Sequence, residues 1–161
     1  MVSSPMRTRN ALVPELAVRD IARSLAFYVG TLGFSVRYER PEEGFAFISL
    51  GDADVMLDEI GKGRTFQVAG APLDHPLGRG LNLQIVAPAL DPLLLALERE
   101  NVPLILPVED RWYRTADHES GVRQFAVADP DGYLLRFIRS IGRRPLPTPR
   151  PSAARHPPDR A

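Results

Sequence analysis

The sequence predicts an α+β domain built from two tandem βαβββ modules. One order of elements, a strand, a helix and three strands, is read twice, on either side of a Gly- and Pro-rich loop, which suggests duplication. Apolar spacing switches between the helical and the strand period at Gly, Pro and Asp positions. Both ends differ in composition from the middle, which confines the folded part to about residues 11–140, with modules at about 11–60 and 79–140.

The elements follow in order. Leu12 to Val18 reads as a strand. Asp20 can cap the next helix, because its side-chain oxygen accepts early backbone N–H groups. Ile21, Leu25, Tyr28 and Leu32 recur at helical spacing and give that helix an apolar face. Gly33 sits where a left-handed C-cap is needed. Phe34 to Arg40 alternates apolar and polar residues like a half-wet strand. Phe45 to Leu50 and Val55 to Ile60 read as strands joined at Gly51-Asp52. The loop from Gly61 to Gly78 is long for an ordered connection and is either a linker or a lid. Beyond it, Leu81 to Val86 is strand-like. Ala89 to Asn101 is helix-like, with Leu93, Leu94 and Leu97 on its buried side. Leu104 to Leu106 is a short strand, and Pro107 to Glu119 an irregular polar-aromatic stretch. Val122 to Ala128 and Tyr133 to Arg139 are strands joined by the strong turn Asp129-Pro130-Asp131-Gly132.

Composition bounds the function. The chain has 161 residues, with Lys plus Arg 20 and Asp plus Glu 20. A neutral chain has no global field to attract polyanions, which argues against nucleic acid. The absence of cysteine excludes thiolate metal sites and thiol nucleophiles. No apolar run reaches the roughly 20 residues that span a bilayer, and Met1 to Asn10 has no apolar core of the kind a secretory signal carries. A cytoplasmic protein without membrane contact is expected. Residues 1–10 are expected to be flexible. Residues 141–161, where prolines alternate with arginines, are expected to be a disordered tail, because such a stretch buries too little apolar surface to offset its ordering entropy. There is no G-x-S-x-G, no phosphate loop and no Ser beside a His.

Three stretches carry a family resemblance. Val18-Arg19-Asp20, Ser24-Leu25-Ala26-Phe27-Tyr28 and Leu32-Gly33-Phe34, together with the closing Phe125 to Phe137 hairpin around Asp129-Pro130-Asp131-Gly132, resemble the opening and closing motifs of the vicinal-oxygen-chelate superfamily (glyoxalase, bleomycin resistance, dioxygenase). The resemblance spans roughly Leu12 to Arg139. It implies eight strands in two curled mixed sheets around a cleft. Enzymes of that family hold a divalent metal there, through His or Glu at four strand positions. The bleomycin-resistance branch lacks the metal, dimerises, and sequesters a planar, bulky antibiotic in grooves between subunits.

Carried over residue by residue, the four metal positions fall on Val13, Asp58, Gly80 (with Asn82 on the same face) and Arg136. Only Asp58 is a good ligand, and a fixed cation at Arg136 repels a metal. A one-residue slip brings in Glu15 or Glu59 but does not remove Arg136. His75, His118 and His156 show no common spacing, and of these His118 is expected to border the cleft. No metal and no other cofactor is therefore expected. Either Asp58 and Arg136 pair in place of the ion, or each has another partner. An unpaired Arg136 would anchor a carboxylate or phosphate.

The remaining ligand candidates are aromatic and basic. Arg111, Trp112 and Tyr113 can stack on a planar ligand and bond to its polar edge, or Trp112 plugs the end of the sheet sandwich. Phe45 can line the groove mouth, whereas Phe47 and Tyr28 are expected in the core. Only one of Arg123 and Gln124 can see the cleft. The resemblance to the bleomycin-resistance branch thus implies a metal-free homodimer that binds a small aromatic or drug-like molecule, with a role in antibiotic resistance, through Asp58, Trp112, Tyr113, Arg111, Arg136, Phe45, Asn82 and His118. The neutral charge favours a neutral or anionic ligand over a cationic glycopeptide. The alternative is a lyase, isomerase or dioxygenase using a divalent metal or a cleft carboxylate, with Asp58, Glu15 or His118 as general base.

Overall fold

The computed structural model describes residues 10–64, 66 and 70–147. Its elements are β1 (Glu15–Val18), α1 (Ile21–Leu25), a π-helical turn (Ala26–Thr31), β2 (Ser35–Arg40), β3 (Phe45–Leu50), β4 (Ala53–Glu59), β5 (Asn82–Val86), α2 (Asp91–Arg99), β6 (Leu104–Arg114), β7 (His118–Ala128) and β8 (Leu134–Pro145). They form two four-stranded mixed sheets, ordered β1-β4-β3-β2 and β5-β8-β7-β6. β1 runs parallel to β4 and β5 parallel to β8, and the other pairs are antiparallel. This is the βαβββ unit repeated, an α+β fold of two modules.

The first helix starts where the sequence places it: the Asp20 carboxylate accepts from the Arg23 N–H at 3.0 Å. It then widens, with Leu32 N–H bonded to Phe27 O at 2.9 Å. A π turn inserts a residue into the helical repeat, and here two consecutive aromatics, Phe27 and Tyr28, are buried. Tyr28 packs edge-on against both Phe27 and Phe34. Gly33 ends the helix with φ +72°.

One core serves both modules. Leu16, Val18, Ile48 and Leu57 of the first sheet join Phe125, Val127, Leu135 and Phe137 of the second, with Tyr28, Leu32, Leu93 and Leu97 from the helical segments. Because side chains alternate along a strand, each sheet turns one face to this shared core and the other outward. The cleft expected between the sheets is therefore divided in the single chain into two outer faces that look away from each other.

The two signature motifs meet at the module junction. Tyr28 donates its hydroxyl proton to Asp129 Oδ2 at 2.8 Å. Asp129 Oδ1 accepts the N–H groups of Asp131 and Tyr133 at 2.9 and 2.8 Å. Asp131 takes the Arg19 Nε–H at 2.9 Å and lies 3.5 Å from Ser24 Oγ. Tyr133 donates to the Ala17 carbonyl at 3.0 Å. The left-handed Gly132 (φ +87°) seats against Pro76, where a Cβ would come within 2.4 Å of the proline Cβ.

Two expectations are corrected. Pro107 to Glu119 is not irregular, because β6 runs on to Arg114 and β7 begins at His118. Cross-strand pairs sustain the hairpin: Arg123 grips Asp110 with two hydrogen bonds, at 2.7 and 2.9 Å, and Trp112 lies opposite Gly121. The disordered tail does not begin at residue 141 either, since β8 continues to Pro145 and pairs Arg143 with Ser120 and Arg144 with Glu119. A strand zipped to a neighbour gains hydrogen bonds that composition alone does not reveal. Residues 148–161 of the tail and residues 1–9 of the amino end lie outside the described residues. No helix among the described residues is long and apolar enough to cross a membrane.

Candidate functional site

The outer face of the first sheet carries a pocket of about 520 Å³, lined by Glu15, Tyr38, Arg40, Phe45, Asp58 and Arg64 among others. Register explains the grouping. Phe45 is opposite both Arg40 and Asp58, and Phe47 is opposite both Tyr38 and Met56, so all six point to one side. Tyr38 stacks on Phe47 and Phe45 with centroids 5.1 and 5.9 Å apart. The Arg40 guanidinium lies 3.8 Å above the Phe45 ring and is held by Glu43 at 2.6 Å. Lys62, on the pocket rim, is bound to Glu59 at 2.9 Å. The chain after β4 closes over Asp58 at Gly63, where a Cβ would lie 3.0 Å from Asp58 Oδ1.

Two carboxyl groups face each other here. Burial first, and the adjacent Asp58 carboxyl next, raise the pKa of Glu15, against a lowering by Arg40.

The outer face of the second sheet is polar. Gln124, 2 % exposed, donates through Nε2 to Glu109 Oε1 at 2.8 Å and to the Tyr113 hydroxyl at 2.9 Å. Arg136 donates to Gln84 Oε1 at 2.8 Å. Gln124 Oε1 and Arg136 Nε are buried and have no hydrogen-bond partner.

The sequence-derived candidates are thus dispersed. Asp58 and Phe45 share the first-sheet pocket. Arg136 and Asn82 belong to the second sheet, so Arg136 does not pair with Asp58: the shared core separates them, and Gln84 and Glu15 are their respective partners. Tyr113 joins the Gln124 network, and Arg111 lies 3.8 Å from Glu109 on the same side. Trp112, next in sequence, points to the opposite side, beneath Arg144 at 4.3 Å and over Gly121. It neither plugs the sandwich nor stands beside Tyr113 as a joint stacking platform. His118 sits at the hairpin tip, with Asp117 at 2.7 Å and Ser120 at 3.2 Å. Phe47 is buried but stacks beneath Tyr38 on the outer face and does not join the shared core. The residues that sequence reasoning missed are Tyr38 and Arg40; of Arg123 and Gln124, left open there, Gln124 is the one on the outer face. The spacing of Tyr38 and Arg40, repeated by Phe45 and Phe47 across one turn, was the available signal.

The donor set at the family's metal positions does not suit an ion. Val13 and Gly80 offer no side-chain donor, Arg136 brings a fixed positive charge, and Asp58 lies on a different outer face from Arg136. Among the described residues no group of three or more His, Asp or Glu could hold a metal.

The chain matches a family model described as Glyoxalase/Bleomycin resistance protein/Dioxygenase superfamily over residues 10–137. None of the curated proteins matches it. Among solved structures, it is similar to TioX from Micromonospora sp. ML1 (23 % identity, TM-score 0.63, covering 82 % of this chain and 99 % of that one). It is also similar to a lactoylglutathione lyase from Agrobacterium tumefaciens (16 %, TM-score 0.52, 82 % and 94 %). A superfamily member from Vibrio splendidus 12B01 shares 36 % identity over 79 % of this chain and 95 % of its own, with a TM-score of 0.36. With the family model spanning most of its length, this chain belongs to the glyoxalase/bleomycin resistance protein/dioxygenase superfamily.

Proposed function

We propose that this superfamily member is a metal-free binding protein that sequesters a small aromatic or drug-like molecule in the first-sheet pocket. The carrying observation is the aromatic shelf of Tyr38, Phe45 and Phe47 with Arg40 laid on it, beside the Glu15–Asp58 pair. A flat ligand gains stacking on such a shelf and hydrogen bonds at its edge. The open, one-sided shape of the face favours a homodimer, in which a second copy covers the ligand. A thermal-shift screen against antibiotics and aromatic metabolites tests this, because a ligand that binds only the folded state raises its melting point. Hits should be lost in Tyr38→Ala. If no aromatic compound stabilises the protein, or hits persist in that variant, the reading fails.

The carboxyl pair favours a second reading, an enzyme using Glu15 and Asp58 as proton acceptor and donor. Turnover of a screening hit that disappears in Asp58→Asn, while the hit still binds, would replace sequestration by catalysis.

A further inference from the structure

The tip of the β6–β7 hairpin lies beyond the part of β8 that pairs with β5, and it gathers a carboxylate, an imidazole and a hydroxyl. The sequence shows no Ser directly beside a His. Residues two apart on a strand share a side, however, and His118 and Ser120 are so spaced at the start of β7. Asp117 Oδ1 lies 2.7 Å from His118 Nδ1, and His118 Nε2 lies 3.2 Å from Ser120 Oγ. The Asp117 carboxyl titrates below its ordinary value, chiefly through its hydrogen bond to His118 and more weakly through Arg143. It is a carboxylate at neutral pH and can only accept, so Nδ1 carries the imidazole proton. Nε2 of the neutral ring is then bare and accepts the Ser120 hydroxyl proton. The backbone holds this order in place. The Thr115 N–H and the Thr115 hydroxyl both donate to the His118 carbonyl at 2.8 Å, and Ser120 is paired with Tyr113 on one side and Arg143 on the other.

We propose that Asp117, His118 and Ser120 form a catalytic site, separate from the first-sheet pocket, that hydrolyses small activated aryl esters with Ser120 Oγ as nucleophile. A hydroxyl bonded to an imidazole that a carboxylate orients is the arrangement that activates a serine on any fold. Ser120 Oγ attacks the ester carbonyl carbon while its proton passes to His118 Nε2. The oxyanion that forms faces Arg143, directly opposite Ser120 and on the same side of the sheet. The aryloxide leaves with the electron pair of the broken C–O bond and takes the proton from His118. Water then attacks the acyl carbon as His118 accepts its proton. The bond from that carbon to Oγ breaks, Oγ regains the proton, and the carboxylic acid departs. Access sets the substrate class. The His118 side chain is 26 % exposed and Ser120 is half-buried, so an ester reaches both, but water is not excluded. Such a site suits esters whose leaving group departs readily. Ser120 stands six residues before Ala126, the partner of Arg136, roughly 20 Å along the strand.

The test has two readings on the full chain. Hydrolysis of p-nitrophenyl acetate is followed by absorbance. A fluorophosphonate, from which a serine Oγ displaces fluoride to leave a stable phosphorus ester, marks the nucleophile, and peptide mass spectrometry locates it. The expected results are hydrolysis faster than by free imidazole at equal concentration, and the label on Ser120. The rate should fall at least about tenfold in Ser120→Ala and in His118→Gln. Asp117 is a positioning residue: Asp117→Ala should slow labelling of Ser120 about fivefold, and Asp117→Glu should restore it. Three outcomes would overturn the proposal: a label on Lys62 or the amino terminus and not on Ser120, hydrolysis unchanged in Ser120→Ala or His118→Gln, or a rate no higher than that of free imidazole. Labelling of the unaltered chain decides the matter even where a variant fails to fold. Thermal shifts by first-sheet ligands should be the same in Ser120→Ala, so the two sites stand or fall separately.

Discussion

The module junction and the outer sheet faces use the same residue types to different ends. At the junction, Asp129 and Asp131 are buried and their bonds are closed: Tyr28, Arg19 and the turn's own N–H groups supply the donors. On the outer faces, Asp58 lies beside another carboxyl, Glu15, and Gln124 and Arg136 each keep one orphaned atom. Satisfied buried networks specify a structure, whereas groups left wanting partners are available to a ligand. The motifs that identify the superfamily in this chain are thus structural, and the residues that would confer a particular ligand lie elsewhere.

The largest expected effect tests that contrast at the junction. Asp129→Ala strands three donors at once, and unsatisfied buried groups cost about 1–3 kcal/mol each. A loss of about 3 kcal/mol or more is expected, seen as a melting temperature lower by about 10 °C for a domain of this size. A drop of only one or two degrees would mean that the clasp does not hold the modules together.

Alkaline pH probes the same region. Burial comes first, and the nearby Asp129 second, in raising the pKa of Tyr28 well above its ordinary value and that of Tyr133 to about 12. In the unfolded chain both ionise near pH 10. The stability they confer is therefore complete below pH 10 and is lost above it, in the case of Tyr133 as pH rises through about 12, by roughly 2–3 kcal/mol. Ultraviolet titration should show Tyr28 and Tyr133 ionising only well above pH 10 or on unfolding.

Changes on the outer face should cost less stability and more binding. Tyr38→Ala removes two stacked contacts worth about 0.5–1.5 kcal/mol each. Unfolding by urea should register about 1–2 kcal/mol, while affinity for an aromatic hit falls at least tenfold, enough to abolish its thermal shift. The smallest effect belongs to Asp58→Asn. Removing the neighbouring charge lets the Glu15 pKa fall toward its ordinary value, although desolvation persists. Because a raised carboxyl pKa means stability lost as pH rises from 4.5 through the folded value, that loss should shrink in the variant. Carboxyl NMR titration of Glu15 is the check.

How much was legible in the sequence differs between the two regions for the same reason. Asp20 capping, the Ile21–Leu32 periodicity and the turn at Asp129–Gly132 are local patterns, and the structure places the corresponding elements within a few residues of where they read. β6 and the end of β8 were not legible, because Asp110 with Arg123, and Glu119 with Arg144, are partners only after the strands meet. From the sequence Phe45 and Asp58 read as separate ligand candidates, and only the strand register sets them opposite each other; Tyr38 and Arg40, one turn away, read as an ordinary wet strand face.

The sequence by itself determined the module order, the turns and the family, since each rests on residues close together in the chain. Which face of each sheet meets the core, and therefore which polar side chains share a pocket, was decided only by tertiary structure. A strand's alternation says that its two faces differ, but not which neighbour will cover either one. The separation of Arg136 from Asp58 by the shared core is the clearest case.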